Sequence, residues 1–264
     1  MDLKSFFRQH PKAAIAFSGG ADSAFLLYSA VKYGVQVKAY FAKSAFQPEF
    51  ELEDAKRLAA QLGTVLEILP LDILSCDDVT ENPGNRCYHC KGRIFRAIQA
   101  AAFGDGYSVL LDGSNASDNP AERPGMRVLE ELSVLSPLRE CGLKKADVRR
   151  LSAEAGLFTA EKPAYACLAT RIPTGCRITA EKLQVTERAE VFLHALGFSD
   201  FRVRMMASGG EAKIQVHKDE LSKLTAHAEI IVQELKQYYP SVLFMFFPPN
   251  PTVPMDSTVS VPEL

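Results

Sequence analysis

No apolar run in the 264-residue chain approaches the ~20 residues that span a bilayer; the longest near the C-terminus is Val242-Leu243-Phe244-Met245-Phe246-Phe247. A transmembrane helix is therefore not expected. Asp2, Lys4, Arg8 and Lys12 interrupt the N-terminal sequence, and the apolar stretch Ala13–Phe17 is too short for the core of a secretory leader. The expected location is the cytoplasm. Neither charge is in excess: 30 Lys and Arg against 32 Asp and Glu give a formal charge of -2. Global charge thus argues for neither a nucleic-acid partner nor an acidic membrane surface. Cysteine is sparse, with six residues, and in a reducing compartment these read as metal ligands, reactive thiols or small core residues before disulfides. No internal repeat is present. What remains, 47% hydrophobic and 23% charged residues, is the composition of a folded globular protein, long enough for two domains or for one with a substantial appendage.

Hydrophobic periodicity orders the chain. Ala13 to Ser18 reads as a strand, Gly19-Gly20 as a turn, and Ala24, Leu27, Tyr28 and Val31 as one face of a helix that Gly34 ends. Strands follow at Val35 to Ala42, Val65 to Pro70 and Ser108 to Asp112, separated by helices over about Phe50 to Leu62 and Tyr88 to Phe103. This alternation predicts an α/β fold, a Rossmann-like parallel sheet covered on both faces. A charged helix over Leu143 to Ala155 leads to a proline-broken junction at Glu161 to Gly175. Beyond it, helices at Thr179 to Leu196 and Asp219 to Tyr239 and strands at Phe201 to Met206, Glu211 to Val216 and Val242 to Phe247 predict a smaller α+β domain. The expected division is 1–165, 166–247 and a proline-rich tail, 248–264, read as an extended or disordered arm.

Three sequence regions carry chemistry. Ser18-Gly19-Gly20-Ala21-Asp22-Ser23 sits where the first strand turns into the first helix of the alternation. Glycines there let a phosphate approach the backbone, free amides at the helix start favour negative charge, and Ser18 and Ser23 add hydroxyls. No Gly-Lys-Ser/Thr follows, which excludes a Walker motif. Cys87 and Cys90 form a C-x2-C pair at a helix start, without the second pair that a structural zinc would need. Asp112, Gly113, Asn115 and Asp118 follow the fourth strand, where open α/β sheets bind ligands, with Arg123 shortly after. At the junction, Cys167 is reachable and lies beside Arg171, which would stabilise a thiolate. Arg202 and Arg204 share one face of a strand, as a pair of phosphate ligands would.

SGGxDS in this context resembles the loop of the PP-loop ATP pyrophosphatases. Together, SGGADS, NPGNRCYHCK, DGSNASD with RPG, SPL and KPAYACLATRIPTG resemble the LarE family of ATP-dependent sulfur transferases of nickel-pincer nucleotide synthesis, from about Phe17 to Gly175 and more weakly over Phe201 to Val216. The chain departs from the family pattern at Thr170, where serine is usual, and at Ala212-Lys213-Ile214-Gln215, where Ala-Arg-Ile-Glu is frequent.

The resemblance implies cleavage of ATP to AMP and pyrophosphate, with Mg2+, and adenylylation of a carboxylate of a pyridinium dicarboxylate mononucleotide. It implies ATP contacts from Ser18, Gly19, Gly20, Asp22, Ser23, Lys43, Asp112, Gly113, Asn115, Asp118 and Arg123, a substrate-phosphate site at Arg202 and Arg204, and catalytic roles for Cys167, Asp22 and Arg171. Sulfur comes either from a 4Fe-4S cluster held by Cys87, Cys90 and Cys167, the favoured reading, or from sacrifice of Cys167 itself. Cys76, Cys141 and Cys176 read as structural. A small-molecule partner, no nucleic acid, no membrane and a homo-oligomer complete the expectation. Its rivals are a tRNA thiolase, which calls for a basic RNA-binding face, an amidating ligase of the NAD-synthetase kind, which leaves the three cysteines without a role, and a non-enzymatic nucleotide-binding module.

Overall fold

The computed structural model describes residues 1–119, 124–208 and 210–246. Arg123 and the tail from 248 lie outside the described residues. The chain divides into two compact units, Met1–Glu187 and the residues from Arg188 onward.

The first unit opens with helix α1 (Leu3–Gln9), which the sequence reading did not anticipate. The Asp2 carboxylate accepts from Ser5 N at 2.8 Å and caps it. Leu3, Phe6 and Phe7 are buried on one face, and the charges that break up the apolar pattern, Lys4 and Arg8, occupy exposed positions. Strand β1 (Lys12–Ala16), helix α2 (Ala21–Lys32), strand β2 (Gln36–Lys43), helix α3 (Glu49–Gln61) and strand β3 (Leu66–Pro70) follow. Two helices, α4 (Asp77–Thr80) and the long α5 (Arg86–Gly104), precede the two-residue strand β4 (Leu110–Leu111). Short helices α6 (Arg127–Glu131) and α7 (Pro137–Glu140) lead to α8 (Lys145–Glu154).

The four strands make one parallel sheet in the order β3-β2-β1-β4, with Ala14 opposite both Lys38 and Leu110. In β1, Ala13, Ala14 and Ile15 are completely buried, as a central strand covered on both faces requires. Side chains alternate across it. Ala13 and Ile15 pack with Phe6, Leu27, Leu58 and Val148, whereas Ala14 packs on the other face with Tyr40, Phe95, Ile98 and Leu110. Complete burial of Ile15, Leu26 and Leu27 contributes about 1.5–3 kcal/mol each. The expected five-residue strand at Ser108 to Asp112 shrinks to Leu110–Leu111, extended by a bridge from Leu111 to Leu135.

The division between units falls within helix α9 (Ala180–Ala195). In the second unit, β5 (Phe201–Met205) pairs antiparallel with β6 (Ala212–Val216), and β6 pairs parallel with β7 (Val242–Phe246). Helix α10 (Leu221–Leu235) follows a short 3-10 turn at Lys218–Glu220 and buries Leu224, Ile231 and Leu235. Among the described residues no helix is long and apolar enough to cross a membrane.

Candidate functional site

The first polar centre lies where β1 enters α2, at the end of the sheet where parallel strands open to ligands. Gly19 has φ +72, and a Cβ there would stand 2.8 Å from the Glu51 carbonyl oxygen, so both conformation and the packing of α3 demand glycine. Gly20 precedes α2 without a side-chain cap, which leaves amides of its first turn available to an anion. The two serines close the loop upon itself: their hydroxyls lie 3.1 Å apart, Ser23 Oγ donates to Gly20 O, and Ser18 N donates to Ser23 Oγ.

Asp22 is divided between two environments. Its Oδ2 accepts from Lys145 Nζ at 2.5 Å, whereas its buried Oδ1 has no partner among the described residues. Lys145, at the start of α8, is itself tied by its main-chain N–H to Ser117 Oγ at 3.1 Å. The loop after β4 crosses directly over this turn, because a Cβ on Gly113 would meet Ser23 N at 2.8 Å. Asp112 fastens that loop: Oδ1 accepts from Ser136 Oγ and Oδ2 from Ser114 Oγ, each at 2.5 Å. Burial pushes the Asp112 carboxyl up, opposed by those two hydroxyls. Asn115 Oδ1 accepts from Ser117 N, and Asp118 Oδ2 accepts from Asn115 N. These side chains therefore shape the loop through local bonds of the Asx type.

Lys43 donates to Gln47 O at 2.6 Å and pairs with Glu49 at 3.1 Å. With Ser44, Gln47, Asp72, Gln184 and Glu187 it lines a cleft of about 630 Å³ beyond β2 and β3.

The second centre is built from cysteines. Cys87 is exposed and Cys90 buried on the first turns of α5, and Cys167 precedes a 3-10 turn at Leu168–Arg171. Burial pushes the Cys90 thiol up to about 12, with further repulsion from Cys167 and Cys87. Cys167 is raised too, first by burial, with Arg86 ahead of Arg171 among the opposing charges. The sequence reading assigned thiolate stabilisation to Arg171; here enclosure outweighs it. Cys90 stands in the field of both other thiols, and Cys167 in that of Cys87. Cys76 and Cys176 pack against the same apolar cluster as Cys90 and Cys167. Cys141 packs elsewhere, against the core around α2 and α8. Among the described residues, no three His, Cys, Asp or Glu side chains are placed to hold a metal ion.

A line of side chains joins the two centres. Lys162 Nζ donates to Gly19 O at 3.3 Å and to Asp54 Oδ2 at 2.6 Å, and lies 5.2 Å from the Phe50 ring centroid. Phe50 meets Tyr165 edge-on, and the Arg171 guanidinium lies 4.7 Å from the Tyr165 ring centroid. Glu51, beside this line, is held up to about 7, chiefly by burial and against the pull of Lys162. Thr170 donates its hydroxyl to Cys167 O at 2.8 Å, a bond that a serine makes equally. Lys145, Lys162, Glu51, Asn82 and Arg86 were not among the residues singled out from sequence. Lys162 stood first in the KPAYACLATRIPTG motif, and Asn82 and Arg86 stood within NPGNRCYHCK, but none was given a role there.

In the second unit, Arg202 and Arg204 lie opposite Gln215 and Lys213 in the β5/β6 ladder. Arg202 donates to Asp200 Oδ1 at 3.0 Å and Arg204 to Gln215 Oε1 at 2.6 Å. Asp200 Oδ2 also meets His217 Nε2 at 2.9 Å.

No family model matches the chain. The uncharacterized protein slr1717 of Synechocystis is 35% identical over 248 residues, 93% of this chain and 90% of that protein. The tRNA-specific 2-thiouridylase MnmA of Thermotoga maritima is 26% identical over 194 residues, 57% of this chain and 54% of that protein. Pyridinium-3,5-bisthiocarboxylic acid mononucleotide synthase of Lactiplantibacillus plantarum is 32% identical over 195 residues, 73% of this chain and 71% of that protein. With the loop after β1, the cysteine pair on α5 and an identity of this extent, the chain belongs to the LarE family of PP-loop proteins.

Proposed function

We propose that this protein is an ATP-dependent sulfur transferase. It adenylylates a carboxylate of a pyridinium dicarboxylate mononucleotide, releases pyrophosphate, and exchanges AMP for sulfur to give a thiocarboxylate. The printed name of the Lactiplantibacillus relative supports this acceptor. The observation that carries the reading is the presence, in one compact unit, of an uncapped α2 N-terminus and of Cys87, Cys90 and Cys167, the two regions being joined through Lys162, Phe50, Tyr165 and Arg171.

In this reading residues 1–165 perform the nucleotide chemistry and 166–247 the sulfur and substrate chemistry, in the cytoplasm. The substrate carboxylate attacks the α-phosphorus of ATP and the α–β bond breaks. Amides of Ser18 to Ser23 hold the departing pyrophosphate, with Lys43, Gly113, Asn115, Asp118 and Arg123 around the nucleotide and Asp112 bracing their loop. The orphaned Asp22 Oδ1 is a hard oxygen that fits Mg2+, which neutralises triphosphate charge when bound. Arg202 and Arg204 hold the substrate's phosphate.

Three thiols without imidazole or carboxylate are the donor set of an iron–sulfur cluster. Such a cluster takes each thiolate on a different iron, so its ligands need not converge on one ion position. Cys87, Cys90 and Cys167 would hold a 4Fe-4S cluster, whose contribution is the sulfur. The alternative is loss of the Cys167 sulfur, which leaves dehydroalanine. Anaerobic purification with iron and sulfide analysis tests the choice: about four irons per chain is expected, with Cys87→Ala, Cys90→Ala and Cys167→Ala all losing iron and transfer. An iron-free chain that stops after one sulfur, lighter by hydrogen sulfide, would establish sacrifice.

The likeness to MnmA favours one second reading, thiolation of tRNA. The balanced charge of the chain opposes it. Competition between tRNA and the mononucleotide for sulfur transfer separates the two.

A further inference from the structure

The three cysteines come from two segments about eighty residues apart, and something must hold these together. Residues 167–178 form a strap across the start of α5 and the turn that precedes it. Asn82, only 1% exposed, sits in that turn with φ +57, a conformation asparagine tolerates better than other side-chain-bearing residues. Its Nδ2 faces three strap carbonyls: Pro173 O at 2.7 Å, Cys176 O at 3.2 Å and Ile172 O at 3.3 Å. Its main-chain carbonyl accepts from Gly175 N at 2.9 Å. Asn82 Oδ1 accepts from Arg86 NH1 at 2.5 Å, and the same nitrogen donates to Ala169 O at 2.9 Å.

Arg86 is 8% exposed, and among the described residues no carboxylate lies within ion-pair distance of it. Both its NH1 bonds go to neutral oxygens. A buried cation without a counter-ion is costly, and one is retained where an anion belongs beside it. The groups next to it are Cys87 in sequence, Cys90 one turn along α5 and Cys167 across the strap. Arg86 is the foremost positive charge acting on both Cys90 and Cys167.

We infer that Asn82 and Arg86 are positioning residues of the sulfur-delivery site: they fasten the Cys167 strap to the helix bearing Cys87 and Cys90, and Arg86 supplies the countercharge for anionic sulfur held there. The inference rests on the reading that these cysteines deliver sulfur, but its geometric half stands without iron.

The test joins two readouts. A short bifunctional thiol reagent, dibromobimane, is applied to the full chain and the joined peptides bearing the exposed Cys87 and Cys167 are counted by mass spectrometry; iron per chain is measured separately after anaerobic reconstitution with iron and sulfide. Asn82→Gly keeps the left-handed backbone and removes the side-chain bonds. Arg86→Gln removes the charge, and Arg86→Lys keeps it. Cross-link yield is expected to fall about ten-fold in Asn82→Gly and Arg86→Gln at a temperature where both remain folded by circular dichroism, because displacement on the order of 1 Å is enough to separate reacting groups. Iron retention should survive in Arg86→Lys and fail in Arg86→Gln. Should Arg86→Gln fail to fold, Arg86→Met, which keeps much of the side chain's bulk without its charge, replaces it in the iron measurement. Equal cross-linking in wild type, Asn82→Gly and Arg86→Gln overturns the positioning role. Equal iron retention in Arg86→Lys and in the uncharged Arg86 variant overturns the countercharge. A wild type that cross-links in an Asn82-dependent way yet takes up no iron supports the positioning role and removes the cluster instead.

Discussion

At the end of β1 the contacts that shape the loop run between near neighbours, Ser18 with Ser23 and Ser23 with Gly20. At the cysteine strap the governing bonds join Arg86 to Ala169 and Asn82 to Pro173, 83 and 91 residues apart. The first centre is a part-buried polar turn at a helix start that no side chain caps. The second is an apolar enclosure with two buried guanidiniums, Arg86 and Arg171, at its edge. The first takes its turn from bonds between near neighbours and is then braced by Lys145 and Lys162 from later in the chain, whereas the second is joined only by the long-range bonds, so substitutions should injure them in different ways.

The largest effect is expected at the local centre. Gly19→Ala drives a Cβ into the Glu51 carbonyl, and Gly113→Ala drives one into the Ser23 amide, both at 2.8 Å and against backbone. Each should lower pyrophosphate release about 100-fold or more, because the loop must move by roughly an ångström. Gly34, with a similar φ of +74 but open space around it, is the control. Its alanine variant should cost about 1 kcal/mol of stability, seen in denaturant titration, with catalysis retained.

Next comes the nonlocal centre. Cys90→Ser should abolish sulfur transfer while ATP still binds, measured by equilibrium dialysis. Transfer retained in both Cys87→Ser and Cys90→Ser would leave Cys167 as the sole sulfur source.

A smaller effect separates Asp22 from its lysine. Lys145→Gln frees Oδ2 and removes a competing cation, so the Mg2+ concentration for half-maximal ATP binding should fall several-fold. Parallel weakening of Mg2+ and ATP binding would mean that Lys145 is only a brace.

The smallest effect on the reaction is expected at Glu51. Burial raises its carboxyl in the folded chain to about 7 from an ordinary 4.5. The folded state then holds a proton that the unfolded chain gives up, so stability declines between about pH 4.5 and 7 and is level above. Glu51→Gln removes this dependence and should stabilise the protein above pH 7 by up to roughly 3 kcal/mol, read from melting curves across pH. A variant whose pH profile matches wild type would refute the assignment.

The contrast between the centres also explains what the sequence disclosed. The strand, Gly-Gly turn and helix at Ala13 to Lys32 were legible because apolar period and turn chemistry coincide there. The C-x2-C pair was correctly placed at a helix start for the same reason. Helix α1 was missed because Lys4 and Arg8 were read as breaks in an apolar core segment, when they occupy the exposed face of a capped amphipathic turn. Asn82 and Arg86 stood within the NPGNRCYHCK motif, yet their role was illegible, since a hydrogen bond to Ala169 O or Pro173 O depends on which carbonyl the fold delivers and on no property of the residue there. Lys145 was hidden likewise, as one lysine among several basic residues in a charged helix. Asp112 was legible as a polar residue at a strand end, but its engagement with Ser114 and Ser136 required the bridge between Leu111 and Leu135.

The central claim is tested most directly by the mass of the acceptor. The protein, kept without oxygen, is mixed with ATP, Mg2+ and a pyridinium dicarboxylate mononucleotide, and the nucleotides are analysed by mass spectrometry. One oxygen of a carboxylate replaced by sulfur, with one AMP and one pyrophosphate formed for each replacement, is the predicted result. An unchanged dicarboxylate, or ADP and phosphate in place of AMP and pyrophosphate, would contradict it.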